Sequence, residues 1–412
     1  MAIPIDLFVR RLIDSRLMTR AEVNRYLATF PSEKRPTDGD SLVEALLLDG
    51  RLTAYQASAI LGGGHQQLVL GEFIVLHPIG KGGMGHVFKV RHQGSGTIAA
   101  IKILTGEALD SPNAVRRFHQ EVAVASRLCH RNIVSLFDSG EENGTHYLVM
   151  EHVEGEDLAA MIHQHGPFGP RTVLDWMLQS ARGLAYAHAK NVIHRDIKPG
   201  NLLLDRKGTI KILDLGLARI VEEPPETRSA STLAERLTRR GEMLGTADYV
   251  SPEQAVDTRT ADHRSDIYSL GCTLYKLLTG RPIFEGDTIV SKLMAHCEDT
   301  PPRLAQHLRS VPQVVEDTYL RMVAKQPDDR FQSMNDTAAA LDRCLAACPA
   351  EAEAPHVVLV GPHPAERTVH YDEFARTVRP DEFRSYTENE LPQPDAGTHR
   401  GQDLATDSGG ER

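Results

Sequence analysis

A glycine-rich run, Gly80-Lys81-Gly82-Gly83-Met84-Gly85, narrows the choice of folds more than any other stretch of this chain. Alone, G-x-G-x-x-G is a weak signal, because a dinucleotide-binding version opens a helix after its third glycine. Here His86-Val87-Phe88-Lys89-Val90 follows, alternating as a half-buried strand does. A strand–loop–strand hairpin of this kind covers phosphates from above, its glycines letting backbone N–H groups approach closely. Further on, Ala99-Ala100-Ile101-Lys102 puts a single lysine on an apolar strand. On its own that lysine reads as a phosphate ligand, with an exposed edge residue as the alternative.

The segments around the loop, LGEFIVLHPI, HVFKVRH and TIAAIKIL, are rich in β-branched residues and separated by glycine-containing turns, so they predict strands. After about Glu154 the pattern turns helical, with short strand-like pieces around 192–213. A β-rich part followed by an α-rich part predicts an α+β chain of two lobes. The length of 412 residues allows about two to three domains. With 41% hydrophobic and 25% charged residues, the chain has the makings of an ordinary core.

The charge balance, 46 Lys+Arg against 56 Asp+Glu, argues against a nucleic-acid footprint. No stretch approaches the ~18 consecutive apolar residues of a membrane helix. The opening MAIPIDLFVRRLIDSR mixes charges among its apolar residues and does not read as a signal peptide. Cys129, Cys272, Cys297, Cys344 and Cys348 are few and form no C-x-x-C pair, which fits a reducing cytoplasm.

Residues 1–65 predict short helices with three capping boxes: Thr19 with Glu22, Ser41 with Glu44, and Thr53 with Gln56. Leu12-Ile13-Asp14-Ser15-Arg16-Leu17 leads into Thr19, and Leu47-Leu48-Asp49-Gly50-Arg51-Leu52 leads into Thr53. This suggests either a duplicated helix–turn–helix unit or a small bundle with common turn chemistry. Gly62-Gly63-Gly64 is a candidate hinge. From about Pro349 the chain is Pro-, Glu-, Asp- and Thr-rich, with 13 acidic against 6 basic residues, and predicts a disordered tail over 349–412. Within it Thr368-Val369-His370-Tyr371-Asp372-Glu373-Phe374 is echoed by Thr377-Val378-Arg379-Pro380-Asp381-Glu382-Phe383. These T-V-x-x-D-E-F copies suit a bivalent docking peptide, or else a drifting duplication.

The remaining polar phrases come in a telling order. Glu121 lies in RRFHQEVAVASRL, a helical stretch, and could pair with Lys102, whose burial demands a partner. His194-Arg195-Asp196-Ile197-Lys198-Pro199-Gly200-Asn201 follows, then Lys211-Ile212-Leu213-Asp214-Leu215-Gly216, then Ser251-Pro252-Glu253. Together with the glycine loop, this series resembles the protein-kinase signature set over about residues 70–345. The phrases G-K-G-G-M-G, H-R-D-I-K-P-G-N and G-T-A-D-Y-V-S-P-E-Q look most like the bacterial eukaryotic-like Ser/Thr kinases.

The resemblance implies a bilobal kinase fold, with an N-lobe over 70–153 and a C-lobe over 154–345, and ATP with Mg²⁺ (or Mn²⁺) as cofactors. Ile79, Gly80, Lys81, Gly82, Gly83, Met84 and Gly85 would then close over the nucleotide. Lys102 would hold the α- and β-phosphates, oriented by Glu121. Val87 and Ala100 would roof the adenine with Leu203 beneath, and Met150 would be the gatekeeper. The hinge Glu151-His152-Val153 would bond the adenine edge and Asp157 the ribose. Asn201 and Asp214 supply hard oxygen donors suited to Mg²⁺. Asp196 would aim the acceptor hydroxyl and take its proton, while Lys198 neutralises the transferring phosphoryl group. Lys198 and Thr246 match the Ser/Thr-specific pattern, so protein Ser and Thr hydroxyls are the implied acceptors.

Further implied roles are structural: Glu253 pairing with Arg330, Asp266 anchoring the catalytic loop, and Leu215, His194, Ala125 and Leu136 stacking as a spine. Two departures stand out. Leu215 replaces the usual Phe after the metal-binding Asp, and Leu237-Thr238-Arg239-Arg240-Gly241 replaces L-T-R-T-G. Thr238 is thus the expected main autophosphorylation site, with Arg195 placed to bind its phosphate; Thr227, Ser229, Ser231 and Thr232 are lesser candidates. A pseudokinase scaffold is the competing class, although Lys102, Asp196 and Asp214 are all present. Residues 1–65 or the tail repeat could receive a regulatory partner, and dimerisation is open.

Overall fold

The computed structural model describes residues 3–64, 68–82, 85–104, 112–142, 144–215, 246–258, 260–308 and 310–348. Gly83, Met84, Thr238 with the other phosphosite candidates, and the whole tail with its T-V-x-x-D-E-F repeat lie outside those residues, as do the side chains of Lys81, Glu121 and Thr246. The described residues divide into two compact units, one ending at Gly64 and one starting at Leu68.

The first unit holds α1 (Ile5–Asp14), α2 (Arg20–Ala28), α3 (Gly39–Leu48) and α4 (Ala54–Gly62). Adding 34 to each position of α1 and α2 gives α3 and α4, so the helix–turn–helix is duplicated in the backbone. The buried residues obey the same shift: Phe8 and Leu42, Leu12 and Leu46, Met18 and Leu52, Val23 and Ala57, Tyr26 and Ile60. Sequence reading aligned Leu12 with Leu47; burial moves the match by one residue, because Leu12 and Leu46 face the core. The turns agree as well, since Arg16 and Gly50 both have φ of 62°.

Two of the expected capping boxes form, at Thr19–Glu22 and Thr53–Gln56. The third is corrected. Helix α3 starts earlier, with Asp38 as its N-cap and Ser41, not Glu44, as the reciprocating residue. The earlier start buries Gly39 against Ile3 and Phe8 and adds a turn carrying buried Leu42 and Val43. Gly63 caps α4 in the left-handed region at φ 86°, so this glycine run ends a helix.

The second unit begins with a six-stranded antiparallel sheet of β1 (Val69–Leu70), β2 (Phe73–Gly82), β3 (Gly85–His92), β4 (Ile98–Leu104), β5 (Leu136–Glu142) and β6 (Thr145–Glu151). Its order is β1-β2-β3-β4-β6-β5. Helix α5 (Pro112–Ala125) packs on the sheet by Phe118 and Val122, against Leu148 and the half-buried Leu136 and Met150.

A helical part follows: α6 (Leu158–His165), α7 (Pro170–His188), α8 (Pro252–Val256), α9 (Arg264–Thr279), α10 (Ile289–Glu298), α11 (Gln313–Met322) and α12 (Met334–Ala347). A small sheet of β7 (Gly155–Asp157), β8 (Leu202–Asp205) and β9 (Ile210–Ile212) completes it. Helix α9 is buried nearly all round, as its sequence RSDIYSLGCTLYKLLT allows. Gly271 lets Val323 and Met322 close on it, since a Cβ there would lie 2.6 Å from Val323 Cγ1. This arrangement is the expected α+β, two-lobed one. No helix among the described residues is long and apolar enough to cross a membrane.

Candidate active site

Strand register places the nucleotide-facing candidates. Val87 pairs with Lys102, Lys102 with Leu148, and Ala100 with Met150. Residues opposite one another, and those two apart on one strand, share a face of an antiparallel sheet. Val87, Ala100, Lys102 and Met150 therefore lie on the same face. Above them the β2–β3 turn narrows through Gly80↔Val87, Lys81↔His86 and Gly82↔Gly85, with Ile79 exposed beside it. Gly85 has φ 137°, and a Cβ there would land on the Ile103 carbonyl oxygen, so only glycine fits.

Lys102 is buried, and its Nζ donates to Asp214 Oδ2 at 2.7 Å. A buried ammonium needs such a partner; the expected one, Glu121, has its side chain outside the described residues. Asp214 itself has φ 54°, a strained conformation for a non-glycine residue.

The catalytic-loop candidates are held from several sides. Asp266, fully buried at the start of α9, accepts from the His194 N–H at 2.9 Å, the Arg195 N–H at 2.7 Å and His188 Nε2 at 2.7 Å. Burial pushes its pKa up, but the His188 hydrogen bond and charge, with the His194 backbone hydrogen bond, outweigh that and hold the carboxyl below its ordinary range. Arg195 has φ 67°, a strain of about 1–2 kcal/mol. Its carbonyl accepts from Gln254 Nε2 at 2.9 Å, and its Nη2 donates to Ala261 O at 3.2 Å, so the conformation is held at three points.

His194 bridges the loop to the metal-ligand candidate. Its Nδ1 accepts from the Asp196 N–H at 3.2 Å, which leaves the ring proton on Nε2, 2.8 Å from Leu213 O. Asn201 Nδ2 donates to Asp196 O at 2.7 Å and to Asp196 Oδ2 at 3.0 Å. Lys198 Nζ lies 2.9 Å from the same Oδ2. Asp196 Oδ1 has no hydrogen bond among the described residues. The Asn201 carbonyl accepts from the Leu213 N–H at 2.9 Å, which ties the loop to the strand before Asp214.

Other candidates fall as follows. Leu203 on β8 is half-buried, as is Val153. Asp157, the ribose candidate, caps α6: its Oδ1 accepts from Ala159 N and Ala160 N at 3.0 and 2.9 Å, and its Oδ2 has no hydrogen bond among the described residues. Leu215 and His194 are buried, and Ala125 and Leu136 half-buried. Arg330, with no exposed surface, makes two bonds of 2.8 Å to the Glu253 carboxylate. Its remaining N–H groups reach Ala324 O, Lys325 O and Arg264 O, so the buried guanidinium is satisfied.

Sequence reading missed two members. His188 completes the Asp266 anchor, and a buried acid on an apolar helix was the signal that such a donor had to exist. Lys211 Nζ bonds Glu151 Oε1 at 2.6 Å while Glu151 Oε2 accepts from Ser135 N at 3.1 Å, so the hinge side chain is committed to structure.

A family model described as protein kinase domain matches residues 73–340. Serine/threonine-protein kinase PrkC of Bacillus subtilis is 39% identical over 268 residues, which cover 65% of this chain and 40% of the relative. Serine/threonine-protein kinase PknB of Mycobacterium tuberculosis is 33% identical over 279 residues, covering 66% of this chain and 43% of the relative. The crystal structure of the Mycobacterium tuberculosis PknI kinase domain is similar with a TM-score of 0.51 and 25% identity, covering 67% of this chain and 97% of that one. The chain spans about two fifths of the length of these curated relatives.

Proposed function

The chain belongs to the protein kinase family, and on that premise we propose that it transfers the γ-phosphate of ATP to Ser and Thr hydroxyls of proteins in a signalling role. One observation carries the reading: an unbroken set of contacts from Lys198 to Asp196, Asp196 to Asn201, Asn201 to Leu213, and Asp214 to Lys102. Loop, metal-ligand candidates and phosphate-binding lysine are thereby held as one body. Catalysis of phosphoryl transfer is mostly positioning and charge neutralisation, which such a body supplies.

Asp196 Oδ1 would accept the hydroxyl proton and aim that oxygen in line with the γ-phosphorus. Lys198, already beside Asp196, would offset charge on the phosphoryl oxygens. With its Nδ2 committed to Asp196, Asn201 keeps its amide oxygen without a hydrogen bond among the described residues, and Asp214 keeps Oδ1 beyond the Lys102 contact; both suit a hard cation. Asn201 and Asp214 would hold Mg²⁺, whose charge would offset that of the phosphates, and Mn²⁺ could take the same protein oxygens. Lys102 would steady the α- and β-phosphates, oriented by Glu121. Val87, Ala100, Met150 and Leu203 would enclose the adenine, with the Glu151 and Val153 backbone at its edge and the glycine loop overhead. Thr246 would join Asp196 and Lys198 in favouring Ser and Thr.

Autophosphorylation would centre on Thr238. A cytoplasmic setting is part of the proposal, in keeping with five cysteines that form no C-x-x-C pair. Residues 1–65 and the tail repeat are our candidates for partner docking, testable by truncation and pull-down, and dimerisation belongs to the same question. The scaffold alternative has no observation in its favour.

The test is γ-phosphate transfer from labelled ATP with Mg²⁺, wild type beside Asp196→Asn, with phosphosites mapped by mass spectrometry. Transfer to Ser/Thr that falls about a hundredfold or more in the mutant is expected. Equal transfer by both, or none by a folded wild type that binds ATP, would overturn the reading.

A further inference from the structure

A cleft of about 380 Å³ opens beside the catalytic loop, lined by Ala159, Ile162, His163, Pro199, Tyr249 and Lys276. Pro199 stands three residues after Asp196, and an extended chain covers at most ~3.5 Å per residue, so the cleft adjoins the transfer site. A peptide whose hydroxyl sits at Asp196 passes the cleft within about four residues.

The lining has a definite chemistry. Ala159, Ile162 and Pro199 make an apolar wall suited to methylene groups. At the C-terminal end of α9, the half-buried Lys276 donates one hydrogen bond, to Gly280 O at 2.8 Å, and keeps two N–H donors. Among the described residues no carboxylate lies within 4.0 Å of its ammonium, and the nearby Asp248 is already paired with Lys292. Burial pulls the Lys276 pKa below its ordinary value, and Lys292 adds to this against the opposing pull of Asp248. The Tyr249 hydroxyl is kept protonated, chiefly by burial, and can donate; the exposed His163 ring adds a polar group at the mouth. The cleft thus offers donors and a positive charge without a fixed counter-ion.

We propose that this cleft is a substrate subsite for a glutamate side chain within about four residues of the phosphorylated Ser or Thr, with Lys276 as the specificity-determining residue. The proposal rests on the kinase reading above and deepens it. A glutamate lays its methylenes on the apolar wall and its carboxylate against Lys276. A lysine or arginine in the same place meets the like charge of Lys276, which no carboxylate contacts among the described residues, so the cleft also excludes.

The experiment uses the full chain and peptides with one serine among alanines, carrying Glu, Gln or Lys in turn at each of the four positions on either side. Wild type, Lys276→Glu and Lys276→Met are compared by kcat/KM. The expected wild type prefers Glu to Lys at one position by about tenfold. Lys276→Glu reverses that preference, and Lys276→Met flattens it; should Lys276→Glu fail to fold, the flattening in Lys276→Met decides. A wild type that phosphorylates every peptide alike, or a preference that survives both substitutions, overturns the subsite while leaving the kinase reading intact. A folded wild type that phosphorylates no peptide and no protein overturns both.

Discussion

His296 on α10 should make the kinase domain acid-sensitive well above the range in which carboxylates titrate. It has no exposed surface, accepts from Tyr268 Oη at Nδ1 (2.9 Å), and meets the Phe284 ring edge-on at 5.0 Å. The Lys325 ammonium donates to His296 O at 2.7 Å, while Lys292 and Asp248 lie close by as an ion pair. Burial first, and the Lys325 charge next, push the imidazole pKa from 6.5 down to about 3. The folded state therefore keeps His296 neutral while the unfolded chain takes up a proton below about pH 6.5. Stability is lost as pH falls from about 6.5 toward 3, and linkage puts the loss at roughly 2 kcal/mol between pH 7.5 and 5. Urea unfolding followed by the fluorescence of Trp176, the sole tryptophan, measures it at both pH values. His296→Gln keeps an acceptor for Tyr268 but cannot titrate, so its stability should fall by about 2 kcal/mol less over the same interval. Parallel pH dependences for the two proteins would refute the argument.

Three further outcomes follow from buried charge and backbone strain. Glu253→Gln leaves the buried Arg330 guanidinium without its counter-charge and should cost about 3–5 kcal/mol in the same urea assay. The Glu253→Met, Arg330→Met double variant should be less destabilised than either single methionine variant. Arg16→Gly relieves the left-handed strain that Gly50 avoids in the second repeat. At about 1 kcal/mol, it should slow amide exchange in α1 and α2 of the full chain about fivefold; unchanged or faster exchange would show that Arg16 is not strained.

Patterns confined to a few residues were legible without coordinates. The strand after Gly85, the caps at Thr19 and Thr53, and the β-to-α change near Glu154 all depend on neighbours within a turn or a hairpin. The misplaced capping box was a local choice settled by packing. Ser41 could begin a helix or sit inside its first turn, and burial of Gly39 against Ile3 and Phe8 chose the second. The cap at Asp157 is likewise local, since the free N–H groups at the start of α6 take its Oδ1.

The sequence by itself determined which chemical groups exist and in what order, and so the family, the two-lobed α+β architecture and the candidates for transfer. Tertiary structure alone decided who touches whom. Lys102 meets Asp214 across 112 positions, and His188 meets Asp266 across 78. No residue pattern names such partners, because burying a charge demands a counter-group without saying which part of the chain supplies it. The same holds for Lys276: on its helix it is one basic residue in the last turn, and only the packing of α6, Pro199 and Tyr249 around it turns that charge toward a cleft.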